Sequence, residues 1–412
     1  MRKTILSLAL SSLLALPSVS FAEEKTPSLD ELWKIIQQQQ QLLDAQKKEI
    51  ERLKETTKEN EEKIEMTAEV VETSSETTQS ATNWYNKSSI GGYGEVHYNN
   101  LENQNPGGSD KDQIDVHRFV LFFNHEFSDS LRFVSELELE HSLAGDGKPG
   151  EVELEQAYIE YDLNENHSLK TGLMLMPFGT LNETHEPPTF YGVERNPVEK
   201  NVIPTTWWEA GVMLYSRFDN GISTDIGLTS GLYLTANKSF KIRNGRQKVA
   251  EAKADSSALS GRVRYTGIPG LELALSGFYQ DDYNQGETSS SDALSMFETH
   301  VIYNVEQFTL KAMYSQWTLD GTEAELIGAD KQKGFIVEPS YRINDKWGVF
   351  VRYNEWDNAA GDSSDSKYSQ VDVGFNYWLD EDVVLKADYQ NQSAPFGKDE
   401  FDGFNLGVGY QF

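Results

Sequence analysis

"FNLGVGYQF", residues 404–412, decides the fold. Phe404, Leu406, Val408, Tyr410 and Phe412 alternate with Asn405, Gly407, Gly409 and Gln411 up to the last residue. A period of two puts one set on each face of a strand, one face apolar and aromatic, the other small and polar. The same period runs back to Ser89. It predicts strands near 90–99, 114–127, 131–141, 152–162, 168–177, 207–218, 222–231, 258–267, 271–281, 293–305, 307–319, 334–343, 346–356, 369–379, 383–391 and 402–412, sixteen in all.

The connections carry a second, independent pattern. Short turns such as "FSDSL", "NENH", "DNG", "GIPG", "VEQ", "NDK" and "DEDV" alternate with longer polar stretches. An even number of antiparallel strands, with short turns at one rim and long loops at the other, is what an outer-membrane barrel requires. A terminal Phe on such a strand is similar to the assembly signal of these barrels. A soluble sandwich is the alternative, and sixteen strands without one Cys fit it poorly. The expected fold class is an all-β transmembrane barrel of 16 antiparallel strands over residues 89–412, preceded by an N-terminal α-helical coiled coil.

The N-terminus agrees with that compartment. Arg2 and Lys3 precede an apolar run from Ile5 to Leu16 and the small-residue pattern Ser20-Phe21-Ala22, which reads as a signal peptide over residues 1–22. The run is too short to span a bilayer, and no later apolar run reaches the ~18 residues a membrane helix needs. The absence of Cys excludes a lipoprotein anchor and disulfides.

From Leu29 the period is seven: Leu29, Ile36, Leu43, Ile50, Thr57, Ile64 and Val71. No Pro or Gly follows Pro27 in this stretch, and Gln, Glu and Lys flank the column, so residues 23–74 read as a periplasmic coiled coil. A disordered Gln/Glu-rich linker is the alternative and best describes the Thr/Ser-rich tail from Thr73 to Thr82, with residues 75–88 read as the linker to the barrel.

Net charge is −30, which excludes nucleic acid as a partner. Residues 1–82 hold 10 Lys+Arg and 15 Asp+Glu, leaving 26 against 51, a net of −25, for residues 83–412. In a membrane barrel the apolar positions face lipid, so the polar positions between them face a lumen. Along "LRFVSELELEH" this turns Arg132, Glu136, Glu138 and Glu140 inward. The same parity turns Arg118, Arg217, Arg262, Arg264, Lys311 and Arg352 inward, set against acids such as Glu95, Glu209, Asp225, Glu338 and Asp372. A wall of mixed sign needs water, which favours an open channel over a packed barrel.

One connection breaks the pattern. "THEPPTFYGVERNPVEKNVIPTTWW", residues 184–208, holds prolines at 187, 188, 197 and 204, several aromatics and a cluster of charges without periodicity. Together with "GGYGEVHYNN", "HRFVLFFNHEF" and "SELELEHSLAGDGKPGEVELEQAYIEYDL" it resembles bacterial outer-membrane porins grouped with the phosphate-selective porin O and P family. The resemblance covers residues 23–412 and is densest from 90 to 215. It implies a homotrimer in a Gram-negative outer membrane, in contact with lipid and lipopolysaccharide. Phosphate selectivity in that family depends on an inward ladder of Arg and Lys; here acids interrupt the basic positions, so that specificity is not carried over.

Residues 179–206 form the third long loop, and in sixteen-stranded porins the corresponding loop folds inward and narrows the channel. Irregular backbone at membrane depth is tolerated only where it lines a water-filled cavity or is buried in protein. The loop residues expected to meet solute are His185, Glu186, Glu194, Arg195, Glu199 and Lys200. No enzymatic motif competes: "HEPPT" and "HEF" lack the second His of a zinc helix, and there is no G-x-S-x-G or Walker loop. The sequence therefore predicts a passive channel, no enzyme, with neither cofactor nor metal. The alternative is a structural protein that tethers the envelope by cell-wall contact through its coiled coil.

Overall fold

The computed structural model describes residues 29–30, 33–34, 36–37, 40–58, 84 and 86–412. They belong to two compact units, Met1–Thr82 and Asn83–Phe412. The predicted signal peptide lies outside the described residues, as do residues 59–83. Residues 40–58 form a continuous helix. Leu29, Ile36, Leu43 and Ile50 of the heptad column lie on helical residues, and 50–79% of each is exposed. What stands in place of the predicted coiled coil is thus a helix with an uncovered apolar stripe, because a coiled coil needs a second helix to cover that seam. Among the described residues no helix is long and apolar enough to cross a membrane.

The second unit is a closed antiparallel barrel. Its strands are β1 (Ser88–Asn103), β2 (Lys111–Ser128), β3 (Leu131–Glu140), β4 (Val152–Asn164), β5 (His167–Leu175), β6 (Trp208–Arg217), β7 (Ile222–Thr229), β8 (Ala258–Tyr265), β9 (Leu271–Gln280), β10 (Leu294–Val305), β11 (Phe308–Leu319), β12 (Lys331–Arg342), β13 (Trp347–Asp357), β14 (Tyr368–Asp380), β15 (Val383–Ser393) and β16 (Phe401–Gln411). All sixteen predicted strands are present. β1 and β12 run several residues past their predicted ends at Asn99 and Gly334. Alternation fades where polar residues begin, but the hydrogen-bond ladder continues through them, as in the pairing of Asn103 with Phe401.

The barrel closes where β1 pairs with β16. Gly92 N–H donates to the Phe412 carbonyl at 3.0 Å and Phe412 N–H donates back at 2.9 Å, so the last residue completes the seam. A Cβ on Gly92 would collide with the Val120 carbonyl oxygen of β2, which explains a glycine at this crowded point. The outer face is apolar: Leu121, Leu137, Leu275, Phe297, Val351, Val373, Leu385 and Leu406 are all exposed. Trp347 packs against Tyr377 and Phe375, with ring centroids 4.5 and 5.4 Å apart, as part of an aromatic rim. Such a surface is unfavourable in water and matches lipid.

The inner face is not polar throughout. Met176, Phe178, Val202, Ile203 and Trp207 of the third loop, which in the structure spans residues 176–207, and Leu234, Phe240 and Ile242 of the fourth loop (residues 230–257) pack on inward Phe278, Met296, Met313, Trp317, Ile336 and Trp356. Parity predicts Trp317 inward, but only the loops explain an apolar residue there. Trp317 is fully buried and its indole N–H donates to the Val202 carbonyl at 2.9 Å. Trp317→Ala is expected to cost about 3–5 kcal/mol while leaving the outer strands intact. The check is a lower unfolding temperature in detergent together with faster protease cleavage within residues 176–207.

Candidate functional site: the third loop and the inner wall

The loop between β5 and β6 is shaped by its own residues. Pro187 and Pro188 open a single 3-10 turn, Pro187–Thr189, closed by the Thr189 hydroxyl donating to the Glu186 carbonyl at 2.7 Å. The Asn196 side-chain oxygen accepts from Glu199 N–H at 2.8 Å at the start of the short helix Val198–Asn201. The Glu199 carboxylate then accepts from the backbone N–H groups of Thr180 and Leu181 (2.5 and 2.8 Å), the Thr180 hydroxyl (2.9 Å) and the Asn196 amide (2.6 Å).

Around this folded unit, inward side chains from much of the barrel bind its backbone. Asn376 donates to the Phe190 carbonyl at 3.0 Å and Trp378 to that of Pro188 at 3.2 Å, both from β14. Arg352 of β13 donates to the Tyr191 carbonyl at 3.2 Å, and Asp388 of β15 accepts from Val193 N–H at 2.7 Å. On the opposite side of the sequence order, β1 supplies His97 and Asn99, at 3.3 and 3.0 Å from Glu194, and β3 supplies Glu136, 3.3 Å from His185. The loop therefore lies inside the barrel.

These contacts divide the sixteen predicted site residues. His185, Glu199, Arg118, Glu136, Glu138, Glu209, Arg262 and Arg352 are buried at 5% exposure or less. Glu186, Glu194, Arg195, Arg132, Arg264 and Lys311 are half-buried, and Lys200 and Arg217 are exposed. Glu199, fully buried, is a clamp within the loop and is not in reach of solute. Glu209 accepts from the Trp207 indole at 3.1 Å and from Gly231 N–H at 2.8 Å, holding the bases of the third and fourth loops.

Four inward arginines are neutralised across the strands, whereas Arg264, 3.4 Å from the Ser223 hydroxyl, and Arg217 have no ion pair among the described residues. Arg118 is 2.9 Å from Glu95 and 3.7 Å from Glu138. Arg262 is 2.8 Å from Asp225 and also paired with Glu183. Arg352 is 2.9 Å from Asp372 and 3.3 Å from Glu338. In each case one acid stands directly opposite in the ladder. Arg132 likewise holds Glu160 and Asp162 at 3.0 and 2.7 Å. The fourth loop adds Arg243 and Arg246, which the sequence reading did not single out. They donate to the carbonyls of Thr205 (3.0 Å) and Thr206. Among the described residues no ion pair joins Arg195, Lys200, Arg243 or Arg246 to a carboxylate.

A sixteen-strand barrel with a long third loop inside it is the decisive observation, and comparison with known proteins agrees. The sequence model of the family described as Gram-negative porin matches residues 73–395. The chain belongs to this family. The porin is 30% identical over 354 residues to an uncharacterized protein of Aquifex aeolicus (strain VF5), covering 79% of this chain and 80% of that one. Its fold is similar to an anion-selective porin from Comamonas acidovorans (14% identity, 79% and 99% of the chains covered, TM-score 0.56). It is also similar to OmpF of Salmonella typhi in complex with daunomycin (12% identity, 79% and 97% covered, TM-score 0.56). A third similar structure is the trimer form of OmpT of Vibrio cholerae (13% identity, 79% and 100% covered, TM-score 0.52). Family and fold place the porin in the outer membrane as a channel.

Two consequences of the loop anchoring are measurable. Glu199→Ala removes the acceptor of two backbone N–H groups, one buried and one half-buried, and a loss of roughly 2–4 kcal/mol is expected; unfolding in denaturant gives the value. Burial alone would raise the Glu194 carboxyl, yet His97 beside it holds it well below the ordinary carboxylate range. A depressed value means that this anchor is fully present above the unfolded pKa of about 4.3 and is lost as pH falls through the folded value. Hydrogen-exchange protection at Glu194 and its neighbours should therefore persist at neutral pH and collapse in strong acid. Equal protection at both ends would remove the anchor's role.

Proposed function

We propose that this porin is a water-filled channel for passive diffusion of small hydrophilic solutes or ions, in which the third long loop forms the constriction. The observation that carries the proposal is the lacing of residues 185–202 to inward side chains of β1, β3, β11, β13, β14 and β15. Such lacing fixes the width of the passage beside the loop. A plug or a tether has no use for a polar, half-exposed inner surface, so the tether reading gains nothing from these contacts.

The charge pattern refines the proposal toward anions. Although residues 83–412 carry −25, Arg118, Arg132, Arg262 and Arg352 of the wall are balanced by acids, while Arg217 and Arg264 of the wall and Arg195, Lys200, Arg243 and Arg246 of the two loops have no ion pair among the described residues. Field lines focus in a narrow passage, so unpaired cations at the constriction outweigh acids on distant loops. Kinship with the phosphate-selective porin O and P group is part of this proposal, without phosphate as the assigned solute. So are a homotrimer contacting lipid and lipopolysaccharide, a coiled coil of three N-terminal helices that would cover the Leu29 to Ile50 stripe, and the periplasmic position of that coil.

Conductance of single channels in a planar bilayer, with the reversal potential read across a salt gradient, tests the reading. Discrete openings with a potential of anion-selective sign are expected, and Lys200→Glu should move that potential toward cations. Inserted but silent protein would sink the channel, and a cation-selective wild type would sink the charge assignment alone.

A further inference from the structure

Glu136 of β3, Glu155 of β4 and His185 of the third loop converge in the barrel wall, each exposed by 3% or less. Their arrangement begins with a bulge: β3 and β4 pair Glu136 with Gln156 but Leu137 with Leu154, so Glu155 is an extra residue in the ladder. A bulge re-aims a side chain that strict alternation would send elsewhere. Here it brings Glu155 onto the inner face beside Gln156.

His185 Nδ1 lies 3.0 Å from the Asn182 carbonyl and, as its donor, leaves the Nε2 lone pair pointing at 3.3 Å to Glu136 Oε1 and 3.7 Å to Glu155 Oε2. Three electron-rich atoms thus face one another within 4.8 Å. Glu155 Oε2 is buried with no hydrogen-bond partner. The outward oxygens are held from outside, Gln156 donating to Glu136 Oε2 at 2.6 Å and the Thr206 hydroxyl to Glu155 Oε1, while the Tyr93 hydroxyl lies 3.4 Å from the facing Glu136 Oε1. A protonated imidazole would serve the nearer Glu136 Oε1, which Tyr93 also reaches, and leave Glu155 Oε2 orphaned.

We infer that Glu136, Glu155 and His185 form a binding site for a divalent first-row transition-metal ion such as Zn2+, which pins the third loop to β3 and β4. Donors each roughly 2.1 Å from one ion stand about 3–3.6 Å apart, close to the 3.3 and 3.7 Å from His185 Nε2 to the two carboxylates. Two carboxylates with one imidazole suit zinc or manganese, and their two negative charges balance the ion. The Asn182 carbonyl, Gln156 and Thr206 supply the outer hydrogen bonds that orient metal ligands. One coordination position is left for water. The sequence reading finds no metal motif because the three ligands come from two strands and a loop, and one of them only through a bulge.

The test is metal content, which is independent of conductance. The full chain in detergent is stripped with EDTA, titrated with Zn2+, desalted and assayed for bound metal, with Co2+ as a visible-absorption probe. One ion per chain is expected for the wild type. It should be lost in Glu155→Gln and His185→Asn and retained in His117→Asn, which alters the neighbouring His97, His117 and Glu194 group. Gln156→Leu should weaken affinity roughly 10–100-fold. Should Glu155→Gln fail to fold, His185→Asn decides, because it changes a loop residue outside the ladder. No ion retained by the wild type would overturn the site, leaving Arg195, whose Nε and Nη2 are buried without acceptors, as the partner of these acids. One ion retained equally by Glu155→Gln and His185→Asn would overturn it as well.

Discussion

Everything in the barrel depends on the pairing of β1 with β16. In lipid there is no water to satisfy an open sheet edge, so a spanning sheet must close on itself. Here the closure runs from Tyr93–Gln411 to Asn103–Phe401 and ends with the reciprocal bonds between Gly92 and Phe412. Once the ring closes, each strand has one face toward lipid and one toward an enclosed space. The apolar residues outside and the charged residues inside are then parts of the same solution.

The enclosed space imposes the second constraint. Charges buried in the wall are costly to leave unpaired. The wall meets this with acids placed opposite its arginines, and the third loop with backbone carbonyls and amides offered to the same side chains. Arg352 shows both at once: it binds Asp372 and Glu338 on the sheet and the Tyr191 carbonyl on the loop. Loop and wall therefore stabilise each other, and the loop's position follows from the charge pattern of the strands.

The internal apolar cluster adds a different kind of hold. Trp207 packs between Phe178, Phe278 and Trp317, at 5.2, 5.4 and 5.9 Å between ring centroids. One side of the loop is thus fixed by burial and the other by hydrogen bonds and ion pairs. That asymmetry gives the loop one apolar flank and one charged flank.

Sequence alone determined the sixteen strands and their facing, because a period of two and the turn spacing are local properties of the chain; that the third loop turns inward came from the resemblance to porins. The sequence also placed Glu95 and Arg118, or Asp225 and Arg262, on the inner face. What only the tertiary structure decided was pairing and exposure: that Glu199 folds back on Thr180 and Leu181, that Arg243 reaches Thr205, and that the bulge at Glu155 sets it facing His185. Register and loop contacts join residues that stand dozens to hundreds of positions apart, and no local period encodes which of them will meet. The helix of residues 40–58 marks the same boundary, since its heptad stripe is written in the sequence and its partner is not.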